Sequence, residues 1–122
     1  KLFVIGGRID VNYHNNLNSN ESYDPKTKKW TQHAPLPTAR SGITCQFLNG
    51  WIHVFGGESG EGTFVENEAY NTATNKWKNF KPMPSGLHGL ASVLLKDKIH
   101  ILNGGPHPGG GGSNYHRVFS TH

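Results

Sequence analysis

The chain has 122 residues, 34% of them apolar, with 16 glycines, 7 prolines and a formal charge of +4. That length bounds it to about one ordinary domain, and the glycine and proline load excludes long amphipathic helices in favour of short strands joined by turns. Lys and Arg are scattered among Asp and Glu, which argues against a nucleic-acid surface, and no apolar run reaches the ~18 residues that a membrane span needs.

In chain order, the first predicted element is "KLFVI", an extended run that stops at Gly6-Gly7. A long loop through Asn18 leads to a strand at "ESY", and after the turn "DPKTKK" comes a strand carrying Trp30. Asn20-Glu21-Ser22 is also a glycan acceptor triplet. "SGITCQFL" predicts a strand that turns at Asn49-Gly50, a dipeptide suited to a type I′ hairpin because both residues tolerate positive φ. Cys45 sits at an alternating apolar position there; as a single cysteine it permits no internal disulfide and reads as a packed thiol. "WIHVF" follows and ends at Gly56-Gly57, then "ENEAY", the turn "NTATNK" and a strand with Trp77. A third round passes through "KIHIL" and stops just after Phe119.

The chain repeats itself. Tyr23 and Tyr70, Trp30 and Trp77, Pro35 and Pro82, and Gly42 and Gly89 are each 47 positions apart. The double glycines deviate: Gly6 to Gly56 is 50, with the surplus in the first loop, and Gly56 to Gly104 is 48, which reads Asn103 as one inserted residue absorbed by a bulge. Units of this length, with four short strands, a strand-ending Gly-Gly, and a Tyr followed seven positions later by a Trp, resemble the kelch repeat, the propeller type found in the central domain of galactose oxidase. The resemblance implies an all-β fold of four-stranded antiparallel blades that stack because one sheet cannot bury both faces alone. Residues 1–37 read as a blade lacking its first strand, 38–84 as a whole blade, and 85–122 as a blade lacking its Trp strand. Ten strands, about two and a half blades, leave the ring open, as expected of the C-terminal part of a larger propeller; such a chain is expected to self-associate through bare strand edges.

The resemblance also places a binding face where the loops after the second strands meet those entering the first. The face comprises Arg8 to Asn18, Thr38 to Ser41, Glu58 to Phe64, Ser85 to His88 and Pro106 to Asn114. The glycine-rich "GGPHPGGGGSN" occupies this loop position and opens no helix, so it reads as backbone geometry, not a phosphate cradle. His53 and His100 share a slot that holds Phe3 in the first unit, which favours a structural role. His14, His88 and His107 all map to the face but lack the short spacing of a metal motif, and neither metal nor cofactor is expected. Arg8 and Arg40 are the leading ligand-binding candidates, since a planar guanidinium holds a carboxylate with two parallel hydrogen bonds. Ser41, Glu58, His88 and His107 complete the ligand-binding set, with Glu58 and His88 as weak catalytic candidates.

Three functional readings follow. One is an interaction module for a protein or acidic peptide, which long loops such as Asn12 to Asn20 favour. Another is a sugar-active enzyme resembling kelch proteins that epimerise sialic acid, with an arginine holding the acidic sugar and Glu58 or His88 moving a proton. The third is a scaffold or secreted propeller without pocket chemistry. Fold analogy does not choose among them.

Overall fold

The computed structural model describes residues 1–121, which form strands and no helix. β1 (Leu2–Ile5), β2 (Asn20–Asp24) and β3 (Lys29–Gln32) make a first sheet in that order. β4 (Thr44–Leu48) and β5 (Trp51–Phe55) are followed by a two-residue pair, β6 (Glu58–Ser59) with β7 (Gly62–Thr63). β8 (Asn67–Asn71) and β9 (Lys76–Phe80) then complete a four-stranded sheet, β4-β5-β8-β9. β10 (Ala91–Leu95), β11 (Lys98–Leu102) and β12 (His116–Phe119) form the third sheet. Every pairing is antiparallel. The fold is therefore all-β, a whole blade between two three-stranded ones in an open ring.

Register explains the repeat. Tyr23 lies opposite Trp30 and Tyr70 opposite Trp77, while Ile52 faces Tyr70 as Ile99 faces Phe119, so Phe119 fills the tyrosine slot of the third unit. Because strand side chains alternate, each sheet offers one face to each neighbour. Tyr70 packs on Phe3 and His33 of the first unit at centroid distances of 6.0 and 5.8 Å. On the other face His53, Phe55 and Phe80 meet Phe119 at 4.8, 5.6 and 6.2 Å. The core lies at this second interface: Leu48, Phe55, Met83, Leu87, Leu90, Ile99, Ile101 and Phe119 form one buried cluster. A fully buried side chain of this size contributes about 1.5–3 kcal/mol. Polar clips join the units as well. Trp77 Nε1 donates to the Ala34 carbonyl at 2.8 Å, the Ala34 N–H donates to Asn75 Oδ1 at 2.9 Å, and Thr44 and Ser92 share a hydroxyl hydrogen bond of 2.6 Å.

Three sequence expectations change. Asn103 is not an insertion. Its φ of 61° matches Gly6 (66°) and Gly56 (68°), and its N–H reaches the Tyr115 carbonyl as Gly6 reaches Ser19 and Gly56 reaches Glu66. Asn103 thus replaces the first glycine and Gly104 the second, so the 47-residue offset from Gly56 is kept. The glycan acceptor Asn20 is 2% exposed, and its amide nitrogen donates to the Ala34 carbonyl, so the folded chain offers no acceptor there. The β6–β7 pair is the third change, since two-residue strands leave no period to read. The packed-thiol reading of Cys45 fits its setting, where burial pushes the thiol up to about 11.

Candidate functional site

The loop face is built by single bridges that continue the strands. Arg8 bridges Asn16, Ser41 bridges Glu58, and His88 bridges Gly105. Arg8 and Glu58 each follow a double glycine, one in the first unit and one in the second, and their side chains meet: Arg8 Nη2 donates to Glu58 Oε1 at 3.0 Å. Glu58 Oε2 accepts the Gly109 N–H at 2.7 Å and lies 3.3 Å from His88 Nδ1. One carboxylate therefore ties together all three units. The glycine-rich loop does embrace an anion, but the anion is the chain's own Glu58, with the Gly110 carbonyl 3.3 Å from His88 Nε2.

Asn16 was not foreseen. Its Nδ2 donates to the Glu58 carbonyl at 2.7 Å and its Oδ1 accepts from Ser41 Oγ at 2.6 Å, so it fastens the first loop to the second unit. An asparagine in a long loop carries no signal of such a role. Ser41, Glu58 and His88 are buried, whereas Arg8 keeps 25% of its side chain in solvent, with its guanidinium 5.8 Å from the Tyr13 ring centroid. His14 and His107 are exposed at the rim, His14 stacked on Tyr13. Among the described residues no three His, Cys, Asp or Glu side chains gather to hold a metal ion.

Arg40 requires a correction as a ligand-binding residue, because it is fully buried. Its guanidinium donates to Glu68 Oε1 at 3.0 Å and to the carbonyls of Gly56, Glu66 and Val54 at 2.8, 3.1 and 3.4 Å. Desolvation lowers its pKa, and the Glu68 carboxylate opposes that shift. The residue braces β5 and β8 from inside, with the Glu68 carboxylate as counter-ion and carbonyls on its Nη groups, while its buried Nε meets no hydrogen-bond partner among the described residues. Glu68 also accepts from the Thr38 N–H and hydroxyl at 3.3 and 2.9 Å, which anchors the segment that enters the face.

The geometry defines what the face can do chemically. Glu58 is buried and has a guanidinium, an imidazole and a peptide N–H on its oxygens, so it offers no base open to a ligand. A shallow cavity of about 350 Å³ opens beside it, lined by Tyr13, His14, Asn16 and Ser59 among others.

The kelch motif family models match residues 1–37 and 39–84, the segments that contain Arg8 and Glu58. The chain belongs to the kelch-repeat family. Kelch-like ECH-associated protein 1A of Danio rerio is 38% identical over 58 residues, which cover 46% of this chain. The aligned segment spans only 10% of that relative. The kelch repeat places Arg8 and Glu58 at equivalent slots of adjacent blades, and their ion pair is a contact between repeats.

Proposed function

We propose that this kelch-repeat segment is a protein-interaction module whose loop face takes an extended, acidic segment of a partner polypeptide, with a carboxylate set against Arg8. The observation that carries this reading is the unequal state of the two arginines. Both Nη groups of Arg40 are engaged inside the fold, whereas Arg8 donates to Glu58 and still reaches solvent at the rim. A guanidinium has five N–H donors in a fixed fork, so one Glu58 oxygen leaves the others available for a second carboxylate. Glu58, His88, Ser41 and Asn16 position the arginine, and exposed His107 and His14 border it. The name of the similar Danio rerio protein, which describes an association, agrees with this reading.

The sugar-enzyme reading has less support, because an enzyme site needs a free acid or base within reach of a confined ligand, and Glu58 is committed. Titrating the chain with acidic peptides, and separately with sialic acid and other acidic sugars, tests both. Saturable peptide binding is expected to weaken at least about tenfold in Arg8→Ala and partly in Arg8→Lys, with sugars silent. Peptide binding indifferent to Arg8 would overturn the proposal, and sugar binding lost in Arg8→Ala would restore the enzyme.

A further inference from the structure

The two seams between units share one cluster of three rings. Between the first and second units, Phe3, His33 and Tyr70 lie with centroids 5.3, 6.0 and 5.8 Å apart. Between the second and third, His53, Phe80 and Phe119 fill the same three slots at 4.8, 4.8 and 6.2 Å. Each cluster thus holds one imidazole, at a different corner, and the two imidazoles are housed differently. His33 is half-buried, and its Nε2 lies 2.7 Å from Ser22 Oγ, a hydroxyl that both donates and accepts. His53 is 0% exposed. Its Nδ1–H donates to Asn67 Oδ1 at 3.1 Å, because an amide oxygen only accepts, and its Nε2 is buried with no hydrogen-bond partner among the described residues.

A proton on Nε2 would therefore create a buried cation whose new N–H meets no acceptor, the costly case for a charge inside a fold. Strand register names the charges around it. On the side that holds His53, β4, β5 and β8 turn no other titratable side chain toward the third unit, while β9 turns Lys76 and Lys78. From the third unit β10 and β11 turn none, and β12 turns Arg117. Lys81 follows β9 at the same seam. All four are cations, so none of them compensates a further positive charge. Burial accordingly lowers the His53 pKa from the ordinary value of 6.5, with the Asn67 hydrogen bond opposing the shift. Glu58 crosses this seam at the loop face, where Arg8, His88 and the Gly109 N–H already hold it.

We infer that the seam between the second and third units is an acid-sensitive joint: when His53 takes a proton the third unit releases from the second, while the seam built on His33 stays closed. The third unit carries His88 and Gly109 with it, so release also strips Glu58 of two of its partners and dismantles the loop face from one side. The sign follows because the neutral ring is the one that packs. Its contribution to the seam is complete above the ordinary histidine value of 6.5 and is lost as pH falls below that toward the lowered folded value. The repeat itself supplies a pH-blind form of the joint, since Phe3 fills the His53 slot in the first unit.

The test is hydrogen–deuterium exchange of the full chain at about pH 7 and about pH 5.5, corrected for the intrinsic pH dependence of amide exchange. Protection of the β11 and β12 amides is expected to fall at least about threefold more than that of β1 and β2, within the roughly tenfold per pH unit that one proton permits. In His53→Phe that excess is expected to vanish. Because this variant also leaves Asn67 Oδ1 without its donor, a second measurement needs no substitution. The imidazole carbon and nitrogen NMR shifts of His53 are expected to keep the neutral Nδ1–H form over the whole range in which the β12 amides stay protected. Equal loss of protection in all three sheets, an excess that survives His53→Phe, or a protonated His53 beneath a fully protected β12 would overturn the inference.

Discussion

Arg40 illustrates how one residue's surroundings reverse its reading. "PTARSG" put it at the loop face beside Ser41, and its backbone is there, but its side chain points into the blade toward Glu68. A signal was available: the same slot one repeat later holds Leu87, which is fully buried. A slot shared by arginine and leucine is an interior slot. Arg40→Leu would leave the Glu68 carboxylate buried and uncompensated, with the Gly56 and Glu66 carbonyls without their donor. The expected loss is about 3–5 kcal/mol by chemical denaturation, and Arg40→Leu combined with Glu68→Gln is expected to recover part of it, because the stranded charge is then gone. A single-mutant cost under about 1 kcal/mol would mean that solvent reaches the pair.

At the scale of elements, strand positions were legible because alternation and turn chemistry are local properties. Asn49 and Gly50 have φ of 51° and 86°, as a type I′ turn between β4 and β5 requires. The double glycine is a different kind of element, since its requirement comes from the neighbouring unit. A Cβ on Gly56 would stand 2.5 Å from the Leu87 carbonyl, and one on Gly6 would stand 2.7 Å from that of Arg40. Asn103 takes the same backbone conformation at the slot that no further unit covers among the described residues, and asparagine tolerates it. Gly56→Ala is therefore expected to cost more than about 2 kcal/mol, from positive φ and a backbone collision together. Asn103→Gly is expected to stay within about 1 kcal/mol. Equal effects at the two positions, measured by thermal melts, would show that conformation alone sets the glycine requirement.

For the whole molecule, the unequal fates of equivalent aromatics expose the open ring. Trp77 is partly buried against the first unit, whereas Trp30 is 57% exposed beside Leu2 and Val4 on a face that no unit covers among the described residues. The opposite end presents Val93, Leu95 and Val118. These two faces are the repeat equivalents of surfaces that pack together inside the molecule, so one copy can stack on the next head to tail. The chain is expected to show concentration-dependent oligomers by light scattering, reduced to monomers by Leu2→Glu with Val118→Glu. A clean monomer at high concentration with cooperative melting would count against that association.

The sequence by itself determined the period, the ten strands of the three blades, the turn residues and the kelch family, because each is carried by neighbours along the chain. It also placed Arg8, Ser41, Glu58 and His88 on one face. Tertiary structure alone decided which of those groups reaches solvent. The deciding contacts join residues far apart in the chain, Arg8 to Glu58 across 50 positions and Arg40 to Glu68 across 28. Two arginines in equally suggestive loops thus acquire opposite surroundings, one fully buried and one partly in solvent, since burial and counter-charge are properties of the packed molecule and not of the local sequence.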